Sequence, residues 1–304
     1  MTAPEIHPDF ARLAKLAPGG LEADRIAKGR RPDVVTTLRI RHSGTTLEKI
    51  SSPVPMRVIK PRDATGPLPV LVLVHGGGYV FGRARMDDRI ASRFARELGI
   101  AVVSVDYRLA PENPYPAGLE DSHAGLVWAA SQPWADTSRI AVGGASAGGG
   151  LAASLAQHAL DRGQVGIAFQ LLIYPMLDDR TPDREDIEVG DYRIWNKDAD
   201  RTGWTAYLGQ PSGTEQVPVE AVPARRASLA DLPTAWIGVG TADLFHDECV
   251  DYSRRLVEAG VSCELAVEPG AVHGFERFAP RKPASRRFSA AQVEALRRGL
   301  RLQG

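Results

Sequence analysis

The sequence predicts an α/β fold built on one mostly parallel sheet. Three observations carry that prediction: short apolar runs alternating with helical patterns, glycine-rich turns closing two of those runs, and one long interval where the alternation stops. The runs at 70–74, 101–105, 140–142, 167–173, 235–239 and 263–267 are predominantly apolar, as strands covered by helices on both faces are. Helical patterns at 86–98, 119–131, 151–160, 247–259 and 290–302 lie between and after them, which implies right-handed crossovers. Two earlier segments, 34–40 and 56–60, mix β-branched with polar residues and read as half-exposed antiparallel strands, bringing the sheet to eight.

At the amino end, Phe10, Leu13, Ala14 and Leu16 form a short amphipathic pattern that opens at Asp9 and stops at Pro18-Gly19-Gly20, with a second short helix expected at 21–28. The break in the rhythm falls at 178–229, where charged and proline-rich pieces surround one helical stretch near 197–208 carrying Trp204 and Tyr207. We read residues 1–304 as a single domain, with about 1–33 and the insertion at about 178–229 forming a helical cap over the carboxyl edge of the sheet. Open α/β sheets bind ligands along that edge.

Composition narrows the function classes. Lys+Arg 37 against Asp+Glu 37 leaves no net charge, so no nucleic-acid partner is expected; the basic tail from Arg281 to Arg301 reads as the solvated face of a terminal helix. Hydrophobic residues at 43% and charged residues at 24% are those of a soluble globular chain, and no run reaches membrane-spanning length. The first ten residues lack the basic start and apolar run of a signal peptide. Two cysteines, Cys249 and Cys263, suit a reduced cytoplasmic chain, and no Cys/His cluster has metal-ligand spacing.

The chemistry centres on the stretch 140–150, which joins an apolar run to an alanine-rich helical pattern through glycines flanking one serine. Gly144-x-Ser146-x-Gly148 has the spacing of a nucleophile elbow, a sharp strand-to-helix turn that exposes a serine hydroxyl. The same spacing occurs in ordinary glycine-rich turns, so other segments must supply a base and a group that orients it. His75-Gly76-Gly77-Gly78 follows the 70–74 strand at the same sheet edge. The N–H groups of Gly77, Gly78 and Ala147 are therefore candidates for an oxyanion hole.

Seven histidines compete for the base. His273 follows the last strand and reaches the right edge beside Gly274. His7 and His42 lie outside the core strands, His123 and His158 sit on helices, His246 leads into one, and His75 is placed to brace its own glycine loop. The orienting acid is expected just past the 235–239 strand. Asp243 fits there, with Asp247 and Glu248 as rivals that a helix cap and a first-turn charge would explain. Asp106, Arg108 and Glu112 read as residues that shape a loop. Tyr79, Phe81, Trp204 and Tyr207 are candidates to line a substrate pocket or to pack the core.

Taken together, His75-Gly76-Gly77-Gly78, the run Asp106-Tyr107-Arg108-Leu109-Ala110-Pro111-Glu112, the elbow, Tyr174-Pro175 and His273-Gly274-Phe275 resemble the bacterial hormone-sensitive-lipase family of carboxylesterases. The resemblance runs from about residue 56 to the end. It implies an α/β-hydrolase fold with a helical cap, the catalytic order Ser146, Asp243, His273, a small-molecule ester substrate, no cofactor, and a homodimer through the last strand. Two positions depart from the family pattern. Ala145 stands where Asp or Thr is common, and Leu244 follows Asp243 where the usual Asp-Pro-Leu-x-Asp-Glu has proline. The implied function is a serine carboxylesterase for short- to medium-chain esters. The alternatives are an amidase or peptidase using the same triad, or a small-ligand-binding protein on a hydrolase scaffold.

Overall fold

The computed structural model describes residues 5–16, 44–187 and 194–303. Eight strands form one sheet: β1 Thr45–Ile50, β2 Met56–Pro61, β3 Leu68–Val74, β4 Ala101–Val105, β5 Ala135–Ala145, β6 Phe169–Ile173, β7 Thr234–Ala242 and β8 Cys263–Val272. Their order is β1-β2-β4-β3-β5-β6-β7-β8, with β2 antiparallel to both neighbours and the remaining pairs parallel. The first strand differs from expectation. Segment 34–40 and the helix at 21–28 lie outside the described residues, and Thr45–Ile50, not anticipated, takes the outer place. Only Thr45 of that strand is fully buried, so it carries no apolar alternation to read.

Helix α1 spans Ala11–Leu16, α2 Asp88–Leu98, α3 Ala117–Ala130, α4 Ala147–Arg162, α5 Lys197–Leu208, α6 His246–Glu258, α7 Phe275–Phe278 and α8 Pro283–Gly299. Helices α2 and α8 touch each other and cover one face of the sheet. On the other face α3 packs on α4, and Gln157 of α4 donates to the Tyr252 hydroxyl of α6 at 3.0 Å. Every residue of β3, β4 and β6 is buried between these layers, which explains their predominantly apolar character, with Ser104 and Gln170 the polar exceptions. In α2 the buried positions include Ala91, Phe94, Ala95 and Leu98, one stripe at helical spacing, and Gly99 closes the helix at φ 68°. The predicted start of the last helix at 290 falls within α8, which begins at Pro283; proline suits a first turn that lacks amide acceptors.

Strand register fixes where the chemistry gathers. Val74 pairs with Gly144, Ala145 with Ile173, and Ala242 with Val272, so β3, β5, β7 and β8 all end at one edge. Elbow, glycine loop, acid and histidine therefore emerge together, although His273 follows His75 by 198 positions in the sequence. Among the described residues no helix is long and apolar enough to cross a membrane.

Candidate active site

Ser146 sits at the junction of β5 and α4 with φ 58° and ψ −128°, a conformation that costs an L-residue on the order of 1–3 kcal/mol. The surroundings hold it there. Its N–H donates to the Ile173 carbonyl at 2.9 Å, and its own carbonyl accepts from the N–H groups of Gly150 at 3.0 Å and Met176 at 3.1 Å. A side chain on Gly144 would strike the Gly148 backbone, and one on Gly148 would strike the carbonyls of Val74 and His75. One on Gly76 would stand 2.6 Å from the Ala145 carbonyl oxygen. The glycines thus let the loop after β3 lie directly against the elbow.

The Ser146 hydroxyl lies 2.9 Å from His273 Nε2, and His273 Nδ1 lies 2.8 Å from Asp243 Oδ2. All three side chains are buried within the protein, Asp243 at 1% exposure. The other carboxylate oxygen of Asp243 accepts the Phe245 N–H at 3.0 Å, an Asx-type turn that fixes the carboxylate without a proline at 244. Buried Leu244 fills that place, so the departure from the family pattern leaves the acid loop intact. Nothing in the structure distinguishes Ala145 further. Three rings fix the imidazole: Tyr174 and Phe245 meet it edge-on at 4.8 Å and 5.2 Å, and Trp195 lies at 6.3 Å.

Gly77 and Gly78 adopt φ 130° and 57°, and the Gly77 carbonyl is turned back to accept from Val80 and Phe81 N–H at 3.1 Å and 3.0 Å. Ala147 is the first residue of the 16-residue helix α4, where amides have no intrahelical acceptor and the helix dipole is positive. His75 is fully buried: its Nδ1 lies 3.0 Å from the Gly76 carbonyl, and its ring stacks on Tyr107 at 4.2 Å. Burial holds its pKa below the ordinary histidine value. It therefore stays neutral beneath the loop.

The structure sorts the remaining candidates. His123 and His158 meet ring to ring at 4.8 Å between α3 and α4, and His246 Nδ1 contacts Asp247 at 2.8 Å; none of the three approaches Ser146. His42 lies outside the described residues. Asp106 accepts the Ala84 N–H at 2.8 Å and Arg108 clasps Asp121, so both shape loops. Tyr79, Trp204 and Tyr207 are buried against one another, with Tyr79 stacked on Tyr207 at 4.1 Å, while Phe81 is partly exposed. Phe81 lies with its ring against Gly77, and the aromatic that lies on Gly78 is Trp195, which no spacing signal marks.

Glu248 is not the surface charge that its position in the first turn of α6 suggests. It is buried, accepting the Leu177 N–H at 2.6 Å and the Thr181 hydroxyl. Burial, then the nearby charge of Asp200, pushes its pKa well up; Asp200, also buried, is raised well above its usual range chiefly by burial, with Asp178 and Asp179 adding to the effect. The folded chain keeps these protons while the unfolded chain releases them above about pH 4. Their contribution to stability is thus complete at lower pH and is lost as pH rises toward the raised values. Thermal melts from about pH 5 to about pH 8 should show Glu248→Gln, whose amide keeps both hydrogen bonds, declining less steeply than wild type. Equal slopes would contradict the assignment.

Among the described residues no group of three or more His, Cys, Asp or Glu side chains is placed to hold a metal ion. A family model described as alpha/beta hydrolase fold matches residues 71–277. The chain belongs to that family. The carboxylesterase NlhH of Mycobacterium tuberculosis is 38% identical over 276 residues, covering 88% of this chain and 85% of the relative. In structure the chain is similar to a bacterial heroin esterase, with TM-score 0.88 and 34% identity over 99% of both chains. It is also similar to the esterase LipW from Mycobacterium marinum, with TM-score 0.84 and 36% identity over 97% of this chain and 96% of the other. The hormone-sensitive-lipase-like resemblance read from the motifs agrees with all three.

Proposed function

We propose that the protein is a serine carboxylesterase acting on small esters of short to medium acyl length. The observation that carries this reading is the hydrogen-bonded line from Ser146 through His273 to Asp243, anchored on a strained elbow. Ser146 Oγ attacks the ester carbonyl carbon as His273 Nε2 takes its proton, and Asp243 stabilises the imidazolium by accepting from Nδ1. The carbonyl oxygen becomes an oxyanion facing the N–H groups of Gly77, Gly78 and Ala147. Such donors are typically worth about 2.7–4 kcal/mol each. Collapse breaks the carbon–alkoxy bond, and Nε2 returns the proton to the departing alcohol. Water then attacks the acyl carbon as it gives a proton to Nε2, and when the second intermediate breaks its bond to Ser146 Oγ, Nε2 returns that proton to Oγ, releasing the carboxylic acid and restoring Ser146.

Three further features belong to the same reading. The segments at about 1–33 and 178–229 act as a cap; in support, Gly203 of α5 packs against the Gly78 carbonyl. A homodimer forms by pairing of β8, which ends the sheet with Val267 39% exposed. The chain works in the cytoplasm, in keeping with Cys249 and Cys263 as free thiols.

Hydrolysis of p-nitrophenyl esters from acetyl to long acyl chains, beside the matching p-nitroanilides, tests the assignment. Esters up to about eight acyl carbons should turn over and anilides should not, because an anilide needs its poorer leaving group protonated as it departs. Preferential anilide cleavage would favour an amidase, and inertness toward both would end the catalytic reading.

A further inference from the structure

Trp195 is 5% exposed, and its indole lies over the Cα of Gly78, where a side chain on that glycine would overlap the ring. The same indole faces His273 at 6.3 Å between ring centroids, tilted by 38°. One side chain thus spans the gap between the glycine loop and the imidazole. Its Nε1–H donates to Asp200 Oδ1 at 3.1 Å, five residues on and in the first turn of α5, and Asp200 is itself fully buried. The buried indole nitrogens of Trp204 and Trp236 have no partner among the described residues. Anchoring by a carboxyl group therefore sets Trp195 apart. Gly203, about one turn beyond Asp200 on α5, packs on both the Gly78 carbonyl and the Trp195 ring, so the helix that supplies the anchor also rests on the loop.

We propose that Trp195 sets the size of the alcohol group the enzyme accepts, and that Asp200 is the positioning residue that holds its indole in place. This rests on the esterase reading above. In the tetrahedral intermediate the reacting carbon carries Ser146 Oγ, the oxyanion, the alkoxy oxygen and the acyl substituent. The oxyanion faces the Gly77 and Gly78 amides, and the alkoxy oxygen must lie beside His273 Nε2 to recover its proton. A wall that bridges Gly78 and His273 closes the space between those two oxygens. The group attached to the alkoxy oxygen ends on the indole, whereas the acyl substituent leaves the carbon in the remaining direction. Asp200 fixes the wall because a buried indole N–H that loses its acceptor is free to turn away from the loop.

The test uses two substrate series on the full chain: acetate esters of ethanol, cyclohexanol and menthol followed by acid release, and p-nitrophenyl acetate, butyrate and octanoate. Trp195→Ala should raise kcat/KM for cyclohexyl acetate relative to ethyl acetate by roughly ten-fold or more, the scale on which a few methylenes discriminate. The octanoate-to-acetate ratio should stay within about two-fold of wild type, since the acyl side does not meet the indole. Trp195→Phe keeps a ring without the N–H and should move the alcohol ratio less. Asp200→Ala should shift that ratio in the same direction as Trp195→Ala, and Asp200→Asn, which still offers an acceptor oxygen, should restore it. A general loss of stability would lower all esters together and leave both ratios in place.

An unchanged alcohol ratio in an active Trp195→Ala enzyme overturns the proposal, as does a change confined to the acyl series. Should Trp195→Ala fail to fold, Trp195→Phe and the Asp200 pair decide the matter in the same way. Ser146→Ala runs beside every assay. Wild-type activity that survives in Ser146→Ala would sink the esterase reading and this inference with it, whereas activity lost in Ser146→Ala with flat alcohol ratios would sink the inference alone.

Discussion

Ser146→Ala should lower kcat for p-nitrophenyl acetate by something like ~10⁶, with the protein still folded and thermally as stable as wild type or slightly less so. The size follows from what the hydroxyl does: without it no acyl-enzyme forms, and what remains is water attack aided by the oxyanion donors, typically about 10³–10⁴ over solution. The fold should survive because the elbow is held by backbone bonds to Ile173, Gly150 and Met176 and by the close contacts of Gly144 and Gly148, none of which involves the hydroxyl. Alanine at φ 58° keeps the strain that serine already bears. Circular dichroism and a p-nitrophenol release assay check both halves. A folded variant losing less than about ten-fold would mean that another group carries the attack.

The part of this site that sequence discloses is the part built from local turns. Gly144, Ser146 and Gly148 sit in a strand–turn–helix whose signals are all within eleven residues, and His75 to Gly78 follow a run of valines and leucines that can only be a buried strand. Asp243 and His273 were legible because each lies shortly past a core strand, although Asp247, Glu248 and His75 share that edge and had to be set aside by the roles they could fill elsewhere. Thr45–Ile50 was not legible, because an outer strand with a single fully buried residue has no alternation. Nor was Trp195, whose approach to Gly78 depends on how it and α5 pack against the glycine loop, a packing relation with no spacing of its own. Glu248 misled for the same reason. Its place in the first turn of α6 matches a dipole-compensating surface charge, and only the return of Leu177 and Thr181 to its carboxylate buries it.

Asp243→Asn tests the orienting role more sharply than removal of the side chain. The Phe245 N–H already claims Oδ1 at 3.0 Å, so the amide oxygen of the asparagine will be held there and its NH₂ group turned to His273 Nδ1. A donor at that point forces Nδ1 to accept, which leaves the proton on Nε2, the atom that must take the proton of Ser146 at 2.9 Å. The base is then present, correctly placed and in the wrong tautomer. The expected loss in kcat is about 10⁴ at neutral pH, with KM for small esters little changed because the residue does not touch substrate. Asp243→Ala, which frees Nδ1 from any donor, should be no worse than Asp243→Asn although it removes more of the side chain. The ordering of the two variants is the decisive readout. If Asp243→Asn retained most of the wild-type rate while Asp243→Ala lost it, Asp243 would serve mainly to hold the imidazole in place by filling space, and its charge and acceptor character would be dispensable.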